Sequence, residues 1–83
     1  MLADETIATE ILRQVGSRGA GKSICPSEVA RALASDWRPL MPRVRAVAGR
    51  LANAGKLAVT QQGIAVDPLG VRGPVRLSRP RKD

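Results

Sequence analysis

One ring, the indole of Trp37, is the whole aromatic inventory of this 83-residue chain, which has no Phe, Tyr or His. A core built without Phe or Tyr has to be assembled from Val, Leu, Ile and Ala. A chain of this length buries only about 60–65 % of its unfolded surface. One domain with a thin, aliphatic core is therefore the expected architecture, and there is no room for a second. The absence of His, with Cys25 as the single cysteine, excludes nearly all zinc sites, His-based acid–base catalysis and an internal disulfide. A lone thiol suits a reducing cytosol, and Cys25 is expected buried or half-buried. No segment approaches the roughly 18–20 apolar residues of a membrane span. Residues 1–10 are acidic and polar rather than signal-like. The expectation is a cytoplasmic protein with no membrane contact.

Apolar spacing defines three helices. Ile7, Ala8, Ile11, Leu12 and Val15 share one face of a helix from Asp4 to Val15, with Asp4 as its cap and Gly16 as its stop. Pro26 suits the first turn of a second helix, because its missing N–H has no partner there in any case. Val29, Ala30 and Leu33 form the buried stripe of that helix to about Ala34. A connector containing Trp37 follows, and Trp37 is expected to cover the core. Pro42 opens a third helix, which runs to about Ala54 and stops at Gly55. At about 100° per residue, Val44, Val47, Ala48, Leu51 and Ala54 face inward, and Arg45, Ala46, Gly49, Arg50 and Asn53 face outward.

The period then changes. Residues 57–61 and 64–67 alternate apolar and polar around Gln62-Gly63, which predicts a hairpin with a two-residue turn. Helix, short extended segment at Ile24-Cys25, helix, turn, helix, hairpin is the order of an α+β, mostly α, winged helix-turn-helix: three helices with a C-terminal β-hairpin wing. A plain three-helix bundle is the alternative, but it leaves the alternation about Gln62-Gly63 without a cause. The domain is placed at residues 1–78, with 79–83 as a disordered basic tail.

Gly16 to Ser23 matches the phosphate-loop pattern G-x-x-x-x-G-K-S letter for letter. That motif binds phosphate only between a strand and a helix, where loop N–H groups and a helix N-terminus converge. Here it follows a helix, and Pro26 prevents a helix from starting at Lys22. A nucleotide site is rejected, and the segment is read as a loop.

Charge placement is the remaining signal. The net charge is +7. Residues 1–37 carry four basic and five acidic side chains; residues 38–83 carry ten and two. A one-sided cationic half favours a polyanion or an acidic partner, although abundant Ala, Arg, Gly, Val and Pro also fit a GC-rich coding bias. In helix-turn-helix proteins the last helix enters the major groove, where Arg and Asn read guanine and adenine. Arg45, Gly49, Arg50 and Asn53 are the expected reading row, with Arg43 and Lys56 at phosphates and Arg72 and Arg76 in a basic arm. The competing reading of the same row is an ordinary solvated helix face. The wing offers only Gln61 and Gln62 at its tip, which is weak for gripping phosphate.

The runs Cys25-Pro26-Ser27-Glu28-Val29-Ala30-Arg31 and Arg72-Gly73-Pro74-Val75-Arg76-Leu77, with Trp37 to Arg45 and Val59 to Gly63, resemble a bacterial family of small winged-helix domains of unknown function. The resemblance covers Thr6 to Leu77 and implies the fold, but brings no site residue. It also suggests that Val75 and Leu77 dock as an extra strand, with Arg76 pointing out between them. No catalytic residue, metal ligand or cofactor is expected. The expected function is binding of duplex DNA, in a transcription-related role, by a monomer or weak homodimer. The alternative is a protein-interaction module with an acidic protein partner, and RNA is a third, smaller possibility.

Overall fold

A computed structural model describes residues 2–80. Helix α1 (Asp4–Arg18) buries Ile7, Ile11 and Val15 along one face, as a four-residue apolar spacing dictates. Three local expectations are corrected. Leu12, at the edge of that face, is exposed. Ala3, not Asp4, holds the N-cap position, with no side-chain cap; the Asp4 carboxylate turns instead to two arginines of the third helix. The helix also passes through Gly16 and ends one turn later at Gly19, whose φ of 99° and N–H bond to the Val15 carbonyl close it. The extra turn brings Arg18 to Glu28 at 2.8 Å, an exposed tertiary contact of a size that offsets part of the helix cost of one glycine.

Strand β1 (Ser23–Ile24) leads into α2 (Pro26–Leu33) with Pro26 in its first turn. The Cys25 N–H donates to the Glu28 carboxylate at 2.7 Å, satisfying one donor that a helix start leaves open. Trp37 follows, half-buried against the core, then a 3₁₀ turn over Arg38–Leu40 and helix α3 (Met41–Asn53). Helix α3 ends in a Schellman arrangement: Lys56 N–H donates to the Leu51 carbonyl, Gly55 N–H to that of Ala52, and Gly55 has a φ of 76°. Val44, Val47 and Ala48 are buried as expected; Ala54, past the last turn, is exposed.

The remaining chain forms β2 (Ala58–Gln61), β3 (Ile64–Ala65) and β4 (Arg76–Ser78). The sheet is four-stranded and antiparallel, in the order β1-β4-β2-β3. Gln62 and Gly63 both have positive φ, 52° and 81°, the geometry of a type I′ turn. The second hairpin strand stops at Ala65 rather than Asp67, and Ile64 lies open at 69 % exposure. The strand that completes the sheet is β4. Leu77 sits between Ile24 and Val59 in register, all three buried, and Arg76 points to the opposite, solvent side. The second strand of the expected hairpin, β3, is thus one edge of the sheet, and the hairpin's first strand, β2, shares the centre with β4 from the C-terminal segment. Among the described residues, no helix is long and apolar enough to cross a membrane.

Among the described residues, Gln62 is the one non-glycine residue with positive φ, a conformation that Asn accepts more readily than Gln. Gln62→Asn is expected to raise the unfolding free energy by a few tenths to ~1 kcal/mol. An unchanged or lowered urea midpoint would contradict that turn geometry.

Candidate nucleic-acid interface

Helix α3 carries arginines on both flanks of its outer face, and the fold ties down each flank. On one side, Asp4 at the start of α1 receives Arg43 through one carboxylate oxygen at 2.8 Å and Arg50 through the other. Arg43 also donates to the Leu2 carbonyl at 2.6 Å. On the other side, the loop between β3 and β4 folds back over the helix. Arg45 donates to three of its carbonyls: Nε to Pro68 at 2.9 Å, Nη2 to Val71 and Nη1 to Gly73, both at 3.1 Å. Pro68 is fully buried. A Cβ added at Gly49 would touch the Pro68 ring at 3.5 Å and lie 3.8 Å from an Asp67 carboxylate oxygen. Arg45 and Gly49, expected to approach base edges, instead seat a loop that carries a negative charge to the same spot.

The other expected positions do not gather on one surface. Asn53 is exposed on the last turn of α3. Lys56 shares a shallow recess with Asp4, Glu5 and Arg50. Arg72 is exposed beside Arg45, on the rim of an apolar groove of about 630 Å³ walled by Pro26, Met41, Pro42, Leu69 and Val71. Arg76 lies on the outer sheet face, where it donates to the Ser23 hydroxyl at 2.9 Å and the Ser23 carbonyl at 3.1 Å. Arg79, first residue of the expected tail, donates to the Gly16 carbonyl at 2.8 Å. Residues 81–83 of that tail lie outside the described residues.

Three carboxylates do most of the internal neutralisation. Hydrogen bonds from Arg43 and then Arg50 hold Asp4 below the usual carboxylate range. The Cys25 N–H, more than Arg18, lowers Glu28, and Arg13 followed by Gln14 lowers Glu10. A depressed folded-state pKa means stabilisation that is complete above the unfolded pKa and lost as pH falls through the folded one. The melting temperature should hold from pH ~7 to ~5 and decline as the carboxylates protonate below pH ~4. Glu28→Gln should flatten part of that decline; a midpoint insensitive to acid in the native chain would refute these pairings.

Sequence reading missed one cluster. The guanidinium carbons of Arg31, in the last turn of α2, and Arg38, in the 3₁₀ turn, lie 4.6 and 4.7 Å from the centre of the Trp37 ring. No helical or strand period links these three positions, so only the adjacency of Trp37 and Arg38 hinted at it. Gln61 was also undervalued. Its side-chain amide donates to the Arg72 carbonyl at 2.7 Å, so it secures the returning loop rather than facing solvent at a wing tip.

The phosphate-loop pattern begins inside α1 and ends in β1, the reverse of the strand-to-helix order that phosphate binding needs. Residues 4–80 match the family model described as "Protein of unknown function (DUF3253)". The chain belongs to that family. In this DUF3253 chain the match begins at Asp4, the acceptor of Arg43 and Arg50, and continues past β4, so it takes in the Arg45 loop and the whole sheet. No curated protein matches the chain.

Proposed function

We propose that this protein is a cytoplasmic, non-enzymatic winged helix-turn-helix module that holds duplex DNA by its phosphate backbone. In this reading α2 and α3 are the helix-turn-helix, β1, β4 and β2 are the small sheet, and residues 62–75 form a folded-back wing. The order of elements and of strands supports it. The observation that carries the functional half is the charge left over after internal pairing. Asp4, Glu10 and Glu28 engage Arg13, Arg18, Arg43 and Arg50. Lys22, Arg31, Arg38, Arg45, Lys56, Arg72, Arg76 and Arg79 form no ion pair among the described residues. Several of these donate to carbonyls, which fixes a cation without neutralising it. A surplus of this kind is what counterion release from duplex DNA exploits.

The mode differs from base reading by a bare helix face. Each nitrogen of Arg45 already donates to a carbonyl, and Gly49 is partly covered by Pro68. Asn53, Lys56 and Arg72 are the members of the expected set that are exposed and whose side chains make no hydrogen bond or ion pair among the described residues. Backbone-dominated binding predicts weak sequence preference and strong salt dependence. Fluorescence anisotropy with a labelled mixed-sequence duplex should show binding at low salt. Each phosphate contact should contribute ~0.9 to the log–log salt slope. Lys56→Ala combined with Arg72→Ala should weaken binding, whereas Arg13→Ala, whose charge is spent on Glu10, should not. No binding at low salt would end this proposal.

One observation favours an acidic protein partner instead. The groove beside Arg45 is mainly apolar, Leu69 on its wall is 63 % exposed, and Arg72 sits at its rim. Such a site suits a segment with an apolar anchor and a flanking carboxylate. Nuclease-resistant, stoichiometric capture of one partner, lost on Leu69→Asp, would favour that reading over DNA.

A further inference from the structure

We propose that Arg31 and Arg38, stacked on the indole of Trp37, form a clamp for the phosphodiester groups of bound duplex DNA. The inference rests on the DNA-binding reading above and names a contact that the outer face of α3 does not supply.

Trp37 is anchored by packing against the core, so its ring is a fixed plate. Arg31 comes from α2 and Arg38 from the 3₁₀ turn, on either side of the connector in sequence. Stacking on an indole holds a guanidinium through the ring quadrupole. That contact uses no N–H donor, so the groups that meet phosphate bidentately are left for another acceptor. Neither arginine has a hydrogen-bonded or ionic partner among the described residues. Asp36, next to the ring in sequence, makes no ion pair with either. The contrast with Arg13, Arg18, Arg43 and Arg50 is informative, because the fold supplies carboxylates to those four and none to this pair.

The spacing also suits a polyanion. Two cations held within 4.7 Å of one ring centre repel each other, and an anion between or across them relieves that repulsion. Their carbons lie no further apart than the sum of the two ring distances. That upper bound is on the scale of neighbouring phosphates of one strand. The pair also stands at the turn before α3, where a helix-turn-helix passes the backbone as its last helix approaches the groove.

Trp37 makes the test direct, since it is the only Trp in a chain without Tyr, and its emission reports on this site alone. The intact protein is titrated with unlabelled duplex while emission is followed, and with labelled duplex while anisotropy is followed. The expected result is a saturable change in emission over the same concentration range as the anisotropy change. Arg31→Gln with Arg38→Gln should weaken duplex binding about tenfold or more at low salt and reduce the salt slope by about two. Arg31→Lys with Arg38→Lys should fall between, because Lys keeps charge but not the planar fork. Circular dichroism melts establish that both double variants are folded. If the Gln double variant binds duplex with unchanged affinity and slope, the clamp is refuted and the DNA reading stands. If the native chain binds no duplex, both fall. If a poly-glutamate peptide saturates the Trp37 emission at lower concentration than duplex does, the site is one for acidic protein, and the clamp proposal is overturned.

Discussion

Replacing Arg45 by Ala is expected to lower the unfolding free energy by about 2–4 kcal/mol and the melting temperature by roughly 10–20 °C. The guanidinium is the common donor to the carbonyls of Pro68, Val71 and Gly73, and a hydrogen bond involving a charged group contributes ~1.5–3 kcal/mol when it is sheltered from water. The Gly73 bond is exposed and contributes least; the other two are partly buried. Arg45→Lys retains at most part of the fork and should lose about half as much. Urea denaturation of the three proteins, with amide hydrogen exchange over residues 66–74, measures the effect. A loss below ~0.5 kcal/mol, the range of an ordinary surface substitution, would mean that Arg45 is free for a ligand and restore it as a base-reading residue.

The second large effect belongs to Leu77. It is fully buried and sits in register between Ile24 and Val59, in the strand that joins β1 to β2. Leu→Ala at such a site costs ~2–5 kcal/mol. A chain of this size has only ~4–12 kcal/mol in total, at ~0.05–0.15 kcal/mol per residue. Leu77→Ala should therefore lose its cooperative melt or shift it steeply downward. Ile64→Ala is the matched control. Ile64 is also an apolar strand residue, but it lies on the open edge, and its replacement should change stability by less than ~0.5 kcal/mol. If the two variants melt alike, β4 is not the centre of the sheet.

Much of the local structure was legible before any coordinates. Pro26 marks a helix start because a missing N–H is harmless only there, and Gly55 and Gln62-Gly63 mark a helix end and a tight turn because they accept positive φ. The apolar faces of α1 and α3 follow from their spacing, and the family resemblance of the Arg72 to Leu77 run implied the docked strand. Errors arose where a long-range contact opposed a local preference. Gly16 looked like a stop, yet α1 continues to Arg18, which meets Glu28. Asp4 looked like a cap, yet its carboxylate serves Arg43 and Arg50 across the domain. The Arg31–Trp37–Arg38 stack joins two elements through a turn and follows no periodic rule.

The sequence by itself determined the three helices and the hairpin, the aliphatic character of the core and the cationic surplus of the C-terminal half. These follow from backbone propensities, side-chain volumes and charge counts, which need no knowledge of what packs where. Only the tertiary structure decided which arginines are available. Arg45 is bound by carbonyls 23 to 28 positions away along the chain, Arg43 and Arg50 by a carboxylate at the other end of the domain, and Arg31 and Arg38 by the only aromatic ring. A side chain's freedom to meet a ligand depends on the donors and acceptors that folding brings within about 3 Å of it. That distance is a property of the packed chain and is not written in residue order.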